Sequence, residues 1–204
     1  MTRRLSEPKI VLASHNAGKL RETIPLFEPF GIEVVSAGSL GLAEPEETEN
    51  TFHGNARIKA HFAAKESGLP AVSDDSGIIV DGLGGAPGVF TADWAETPTG
   101  RDFELAMTKV WNMLEKRDAP YPRTARFHCT LCIAWPDGHD EIYDGQVEGQ
   151  ITWPMRGALG FGFDPVFLPN GESVTFGEMD PQKKHGMSHR AVAFRKLIEG
   201  SLAG

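Results

Sequence analysis

The sequence predicts an α/β fold. Short apolar runs with strand character are interspersed with segments of helical period, and a long alternating stretch turns back on itself at Pro136-Asp137-Gly138. At 204 residues the chain can bury a sizeable core and reads as one domain, with room for two lobes. Hydrophobic residues at 40% and charged residues at 24% are ordinary for a globular chain and exclude extensive disorder. A balance of 20 Lys+Arg against 28 Asp+Glu gives a net charge of -8, which argues against nucleic acid or an anionic membrane surface as a partner. An anionic substrate would therefore need a local basic pocket or a metal. Residues 1–8 are polar and basic, with no apolar segment long enough for a signal sequence or a membrane span, so a cytoplasmic location is expected.

Residues 9–13 form a short buried strand, and Ser14, His15, Asn16, Ala17, Gly18 and Lys19 lead into a helix reaching about Phe30. A glycine and a lysine at a strand-to-helix junction would aim backbone N–H groups, a positive helix end and an ammonium at one spot, which suits phosphate. The stretch is not the usual P-loop, since Ala13 stands at its first glycine and Leu20 follows the lysine. An ordinary helix start, capped by Asn16 with Lys19 in solvent, has the same pattern.

Residues 31–36 give a second strand. Glu44, Glu46, Glu47 and Glu49 then crowd a loop, of a kind more often solvated than metal-binding, before a helix over residues 51–66. Asn55 and Lys59 share a face of that helix at i, i+4, while Phe52, Ala56 and Ala63 can face the core. Lys59 could reach a phosphate but is expected at the surface. Residues 70–73 form the strand that delivers Asp74 and Asp75, and residues 77–81 continue apolar. The glycine-rich turn over residues 82–89 needs positive φ or close backbone approach, fitting a substrate cradle or simply a long loop. Phe103, Met107, Val110, Trp111 and Leu114 then recur at helical spacing as a core stripe.

Along residues 124–135, Ala125, Phe127, Cys129, Leu131, Ile133 and Trp135 share one face, and residues 139–150 return as the partner of a hairpin. Cys129 and Cys132 form a C-x-x-C, but their odd spacing puts them on opposite faces, so both read as buried structural thiols in a reducing compartment. The loop over residues 157–165 carries Phe161, Phe163 and Asp164; its rings either plug the core or stack on a flat partner. Ser188 is a good N-cap for a final helix through Ile198, whose first turn would project His189 and Arg190 toward an anion, or leave them merely exposed.

The central stretch is Val-Ser-Asp-Asp-Ser-Gly at residues 72–77. Two adjacent carboxylates repel each other, and a loop after a strand would let a divalent cation relieve that repulsion. The stretch reads as the metal end of an active site; a polar turn closed by glycine fits the same letters.

Six ordered blocks together resemble the inosine triphosphate pyrophosphatase family. They are Ser14-x-Asn16-x-Gly18-Lys19; Glu47-Thr48 with Thr51-Phe52-x-x-Asn55-Ala56-x-x-Lys59-Ala60; Ser73-Asp74-Asp75-Ser76-Gly77; Gly85-Ala86-Pro87-Gly88-Val89; Phe161-Gly162-Phe163-Asp164-Pro165; and Ser188-His189-Arg190. The resemblance implies a long mixed, twisted sheet flanked by helices, two lobes with a central cleft, and a homodimer. It implies hydrolysis of non-standard purine nucleoside triphosphates (ITP, dITP, XTP) to the monophosphate and pyrophosphate, with Mg²⁺. By position, Ser14, His15, Asn16, Ala17, Gly18 and Lys19 match the phosphate-gripping loop. Glu47 and Asp75 match the metal carboxylates, Asp75 also the catalytic one, and Ser76 the next substrate contact. Phe161, Gly162, Phe163, Asp164, Lys184, His189 and Arg190 match the nucleobase pocket, with Asp74 as a supporting neighbour of the metal.

Three positions depart from the pattern. Gly54 replaces a common glutamate, Asp93 a usual arginine, and Phe163 a more common tyrosine or tryptophan. The rival readings are a Maf-like pyrophosphatase of pyrimidine or modified nucleotides, a purine nucleotide sensor without hydrolysis, and an interaction protein with a solvated acidic loop. The His189-Arg190 pair, the Phe161 loop and intact Glu47 and Asp75 favour the purine enzyme.

Overall fold

The computed structural model describes residues 2–15 and 17–202, so the expectation for Asn16 lies outside the described residues. In chain order the elements are β1 (Lys9–Leu12), α1 (Ala17–Phe27), β2 (Glu33–Ser36), α2 (Phe52–Ser67), β3 (Ala71–Val80), the short β4 (Glu96–Thr97) and β5 (Gly100–Arg101), α3 (Phe103–Lys116), β6 (Thr124–Ala134), β7 (Asp140–Ile151), β8 (Phe167–Pro169), α4 (Pro181–Met187) and α5 (His189–Leu197). Six strands form one sheet in the order β2-β1-β3-β6-β7-β8. The sheet is mixed: β1 runs parallel to β2 and to β3, whereas β7 and β8 are antiparallel.

Local chemistry accounts for the element ends. Thr51 caps α2, its Oγ1 accepting from Gly54 N at 3.0 Å, and Gly68 closes the helix. Asp102 caps α3 by accepting from Leu105 N at 3.0 Å, and this helix buries Ala106, Met107, Val110 and Leu114 as its stripe requires. The first helix ends at Phe27 and a 3₁₀ turn, Glu28–Phe30, completes the expected span. Helix α4 was not expected, although Asp180 caps it and Pro181 starts it.

The chain divides into two compact units: Met1–Asp75, Cys129–Gly145 and Arg190–Gly204 in the first, Ser76–His128 and Gln146–His189 in the second. In the first, Ile10, Leu12 and Val72 pack with Phe27, Cys129, Leu131 and Phe194, while Val11 and Ala71 pack with Cys132 and the alanines of α2. β1 and the start of β3 are thus covered on both faces, which is why they read as short apolar runs. As expected, the two cysteines fall in different clusters. Burial pushes the Cys132 thiol up to about 12, with Asp140 adding to the effect, so it stays protonated and inert. The second unit is built on Ile78, Val80, Val110, Leu114, Phe127, Phe163, Phe167 and Phe176. Among the described residues no helix is long and apolar enough to cross a membrane.

One expectation about the central stretch is corrected here. Asp74 and Asp75 do not leave a strand for an exposed loop; they sit mid-strand in β3, 2% and 6% exposed. The polar pair interrupts the apolar signal without interrupting the strand, because each carboxylate meets a buried cation.

Candidate active site

Strand geometry separates the two aspartates. Successive side chains point to opposite faces, so Ser73 and Asp75 share the face of α2, and Asp74 joins Val72 on the other. Ser73 Oγ donates to the Ala56 carbonyl at 2.6 Å, tying β3 to α2 one turn before Lys59. Lys59, expected at the surface, is only 7% exposed. Its Nζ donates to Asp75 Oδ1 and to Glu47 Oε1, each at 2.9 Å. The spacing held a signal for this burial. Ala56, Lys59, Ala60 and Ala63 follow i, i+3, i+4, i+7, which places the lysine on the core stripe of α2.

Glu47 reaches this cluster from a loop that is otherwise exposed, as its composition suggested. Asn55 Oδ1 accepts from Glu49 N at 3.0 Å and pins the loop to the first turns of α2. Gly54 has a matching role, since a Cβ there would lie 2.5 Å from Glu49 Cβ. A side chain at position 54 would thus displace the loop that carries Glu47.

Burial pushes the Asp75 carboxyl up to about 6, with Glu47 adding to the rise while Lys59 and Lys19 pull it down. Burial alone would lower the Lys59 pKa; the carboxylates of Asp75 and Glu47 outweigh it and hold the ammonium above its ordinary range. Asp75 Oδ2 is buried and has no hydrogen-bond partner among the described residues. Burying a carboxylate oxygen unpartnered is costly, and such atoms mark places where a ligand completes the coordination.

On the other face, Asp74, expected as a supporting neighbour, is engaged by cations. Its Oδ1 pairs with Lys19 Nζ, which also donates to the Asp74 carbonyl at 3.2 Å. Its Oδ2 accepts from Arg190 Nε at 2.8 Å and from the Cys129 thiol at 3.3 Å. Lys19 therefore stands in the first turn of α1 with its ammonium already directed by β3. His15 is exposed, its Nε2 3.1 Å from the Leu42 carbonyl, and Ser14 is half-buried just after β1. Gly18 lies in the first turn of α1, as does the backbone of Ala17.

In the second unit, Ser76 follows in β3, half-buried. The loop before β8 divides its two rings as the alternatives allowed. Phe163 is 1% exposed and packs edge-on against Phe103, so its ring belongs to the core and offers no face to a ligand, against the expectation of a substrate contact there. Phe161 is 41% exposed. Asp164 Oδ2 accepts from Phe161 N at 2.8 Å and from Lys184 Nζ at 2.6 Å, which puts the Lys184 ammonium 5.0 Å from the Phe161 ring centroid. Gly160, at φ +76°, and Gly162, at φ +66°, allow this tight loop; a Cβ on Gly160 would lie 2.0 Å from Asp164 Oδ2. The His189 ring stacks on Phe127 at 5.0 Å, and Phe127 on Phe176 at 6.0 Å. Phe127 and Phe176 were not expected to frame this region, since nothing in their spacing separates them from core positions.

A groove of about 580 Å³ on the second unit is lined by Asp93, Trp94, Leu105, Lys109, Asn112 and Met113 among others. Among the described residues, none of those expected in the site lines it.

Comparison with known proteins fits this arrangement. The family model of the Ham1 family matches residues 10–200. The chain belongs to the Ham1 family. A Ham1 relative from Ruegeria pomeroyi, named dITP/XTP pyrophosphatase, is 57% identical over the whole of both chains. One of the same name from Brucella melitensis is 54% identical over 98% of this chain and 96% of its own. Among solved structures, a HAM1 protein from Coxiella burnetii superposes with a TM-score of 0.87 at 38% identity, covering 94% of this chain and 96% of its own. The resemblance read from the six blocks and the expected mixed, helix-flanked sheet are thereby borne out.

Proposed function

We propose that this chain hydrolyses non-standard purine nucleoside triphosphates, (d)ITP and XTP, to the monophosphate and pyrophosphate. The observation that carries the reading is Asp75: a buried carboxyl pushed up to about 6, with one oxygen held by Lys59 and the other without a partner among the described residues. Relatives named dITP/XTP pyrophosphatase at more than half identity support the substrate class.

The residues fit a divalent cation. Among the described residues no three His, Cys, Asp or Glu gather to hold a metal by themselves. Mg²⁺, however, is commonly held by one or two carboxylates together with substrate phosphates and water. Glu47 and Asp75, joined through one ammonium, would hold it together with water. When bound, Mg²⁺ would offset triphosphate charge and favour ionisation of a nearby water.

The chain's own residues do the rest. Asp75 orients a water and takes its proton at Oδ2, a task suited to a carboxyl titrating near neutral pH. The water oxygen bonds to the α-phosphorus, the bond from that phosphorus to the oxygen bridging to the β-phosphate breaks, and pyrophosphate leaves with the electron pair. Lys19 and the start of α1 at Ala17 and Gly18 meet the phosphate charge. Phe161 stacks on the purine without ranking purines. Lys184 and His189 present donors to the keto oxygen of hypoxanthine or xanthine; adenine carries an amino donor there and would leave buried donors unpaired, at roughly 1 to 3 kcal/mol each. Arg190, the residue after His189, is assigned to the same base edge, and its Nε donates to Asp74.

The same reading places the enzyme in the cytoplasm, where buried thiols stay reduced, and as a homodimer. Pyrophosphate release from ITP, XTP, ATP and dTTP, with and without Mg²⁺, tests the function. ITP and XTP should turn over only with the metal; comparable rates for ITP and ATP would contradict the pocket, and a preference for dTTP would favour the Maf-like reading.

A further inference from the structure

Among the described residues, the Asp74 carboxylate is met by Lys19 from α1, Arg190 from α5 and Cys129 from β6. A carboxylate 2% exposed must be matched by donors, and its orientation is set by where those donors sit. Oδ2 is shared between Arg190 and the thiol, and Oδ1 is turned to Lys19. Rotation of the carboxylate would move both oxygens together, so whatever fixes Oδ2 also fixes the oxygen that directs the Lys19 ammonium.

We infer that Cys129 is a positioning residue: its thiol donates to Asp74 Oδ2 and thereby sets where Lys19 meets phosphate. The thiol makes and breaks no bond in this role. The inference rests on the proposed reading of Lys19 as part of the phosphate grip. A thiol at 3.3 Å from a carboxylate oxygen is a weak donor strengthened by the acceptor's charge. Cys129 also packs with Leu131 and Ile133, so a purely packing role is the competing explanation.

The two explanations rank two substitutions in opposite order. If packing alone matters, Cys129→Ala should be the milder change, because Cys129→Ser buries a hydroxyl among apolar side chains. If donation matters, serine keeps the donor and alanine removes it. The experiment measures KM and kcat for Mg²⁺-dependent pyrophosphate release from ITP, thermal unfolding, and equilibrium binding of inorganic triphosphate, on the full chain and both variants. Cys129→Ala should raise KM and weaken triphosphate binding about 5-fold with kcat less affected, the scale of one weak hydrogen bond to a charged group. Cys129→Ser should return both to within about 2-fold of the parent even where its Tm is the lower of the two. An unchanged KM and unchanged triphosphate affinity in Cys129→Ala, or a serine variant no better than alanine in either, overturns the inference. A parent chain that binds triphosphate without hydrolysing ITP would fail the proposed function alone, and the binding series would still decide the role of Cys129.

Discussion

The Lys59 ammonium donates to Asp75 Oδ1 at 2.9 Å, with both side chains buried. This pair places a titrating carboxyl on the α2 face of β3, while Asp74 on the opposite face is taken by Lys19 and Arg190. Two neighbouring aspartates thus have different chemistry because a strand turns alternate residues to opposite sides.

The pair makes the pH profile a direct probe. Asp75 must be ionised to take a proton, so kcat/KM for ITP should fall on the acid side; the carboxyl is pushed up to about 6 before a metal binds, and Mg²⁺ would draw the limb below that. Lys59 holds that pKa down against burial, so Lys59→Met should move the acid limb to higher pH; a limb that stays in place or moves lower would contradict the pairing. Because the Asp75 pKa is raised on folding from 3.8 to about 6, its own contribution to stability is full below 3.8 and is lost as pH rises through about 6. Removing the lysine also strands a buried charge, and denaturant unfolding at neutral pH should show a loss of about 3 to 5 kcal/mol.

Phe161 and Phe163 should separate cleanly. Phe161→Ala should leave the Tm nearly unchanged and raise KM for ITP about 10-fold, the scale of one base-stacking contact, without altering the ITP-to-ATP ranking. Phe163→Ala should instead cost about 3 to 5 kcal/mol of stability as a core deletion. Thermal unfolding and steady-state kinetics on both variants check the division.

Gly160→Ala tests the loop that sets Lys184. A Cβ 2.0 Å from Asp164 Oδ2, at φ +76°, forces that carboxylate off the lysine. The preference for ITP over ATP should fall about 10-fold, as expected for one misplaced charged hydrogen bond. Retained selectivity would detach Lys184 from base choice.

Most of the fold was legible because its signals are local: unbroken apolar strands at residues 9–13, the helical stripe of α3, and the alternation and turn of the β6–β7 hairpin. The site was legible as a set of residue types but not as an arrangement. Lys59 lies on the core stripe of α2, but no spacing within that helix announces Glu47 and Asp75, which arrive from other parts of the chain. Asp74 and Asp75 looked like a loop because a polar pair breaks an apolar run, while the long-range contacts that make the pair tolerable in a strand are invisible locally. Helix α4 carried a legible start in Asp180-Pro181, obscured by its shortness and by Gly186.

The most direct test is pyrophosphate release from ITP by Asp75→Asn alongside equilibrium binding of the nucleotide. The variant keeps the shape of the side chain and loses the base, so it should bind ITP yet release pyrophosphate at least ~100-fold more slowly. Turnover near that of the parent chain would contradict the assignment of Asp75 as the group that takes the proton from water.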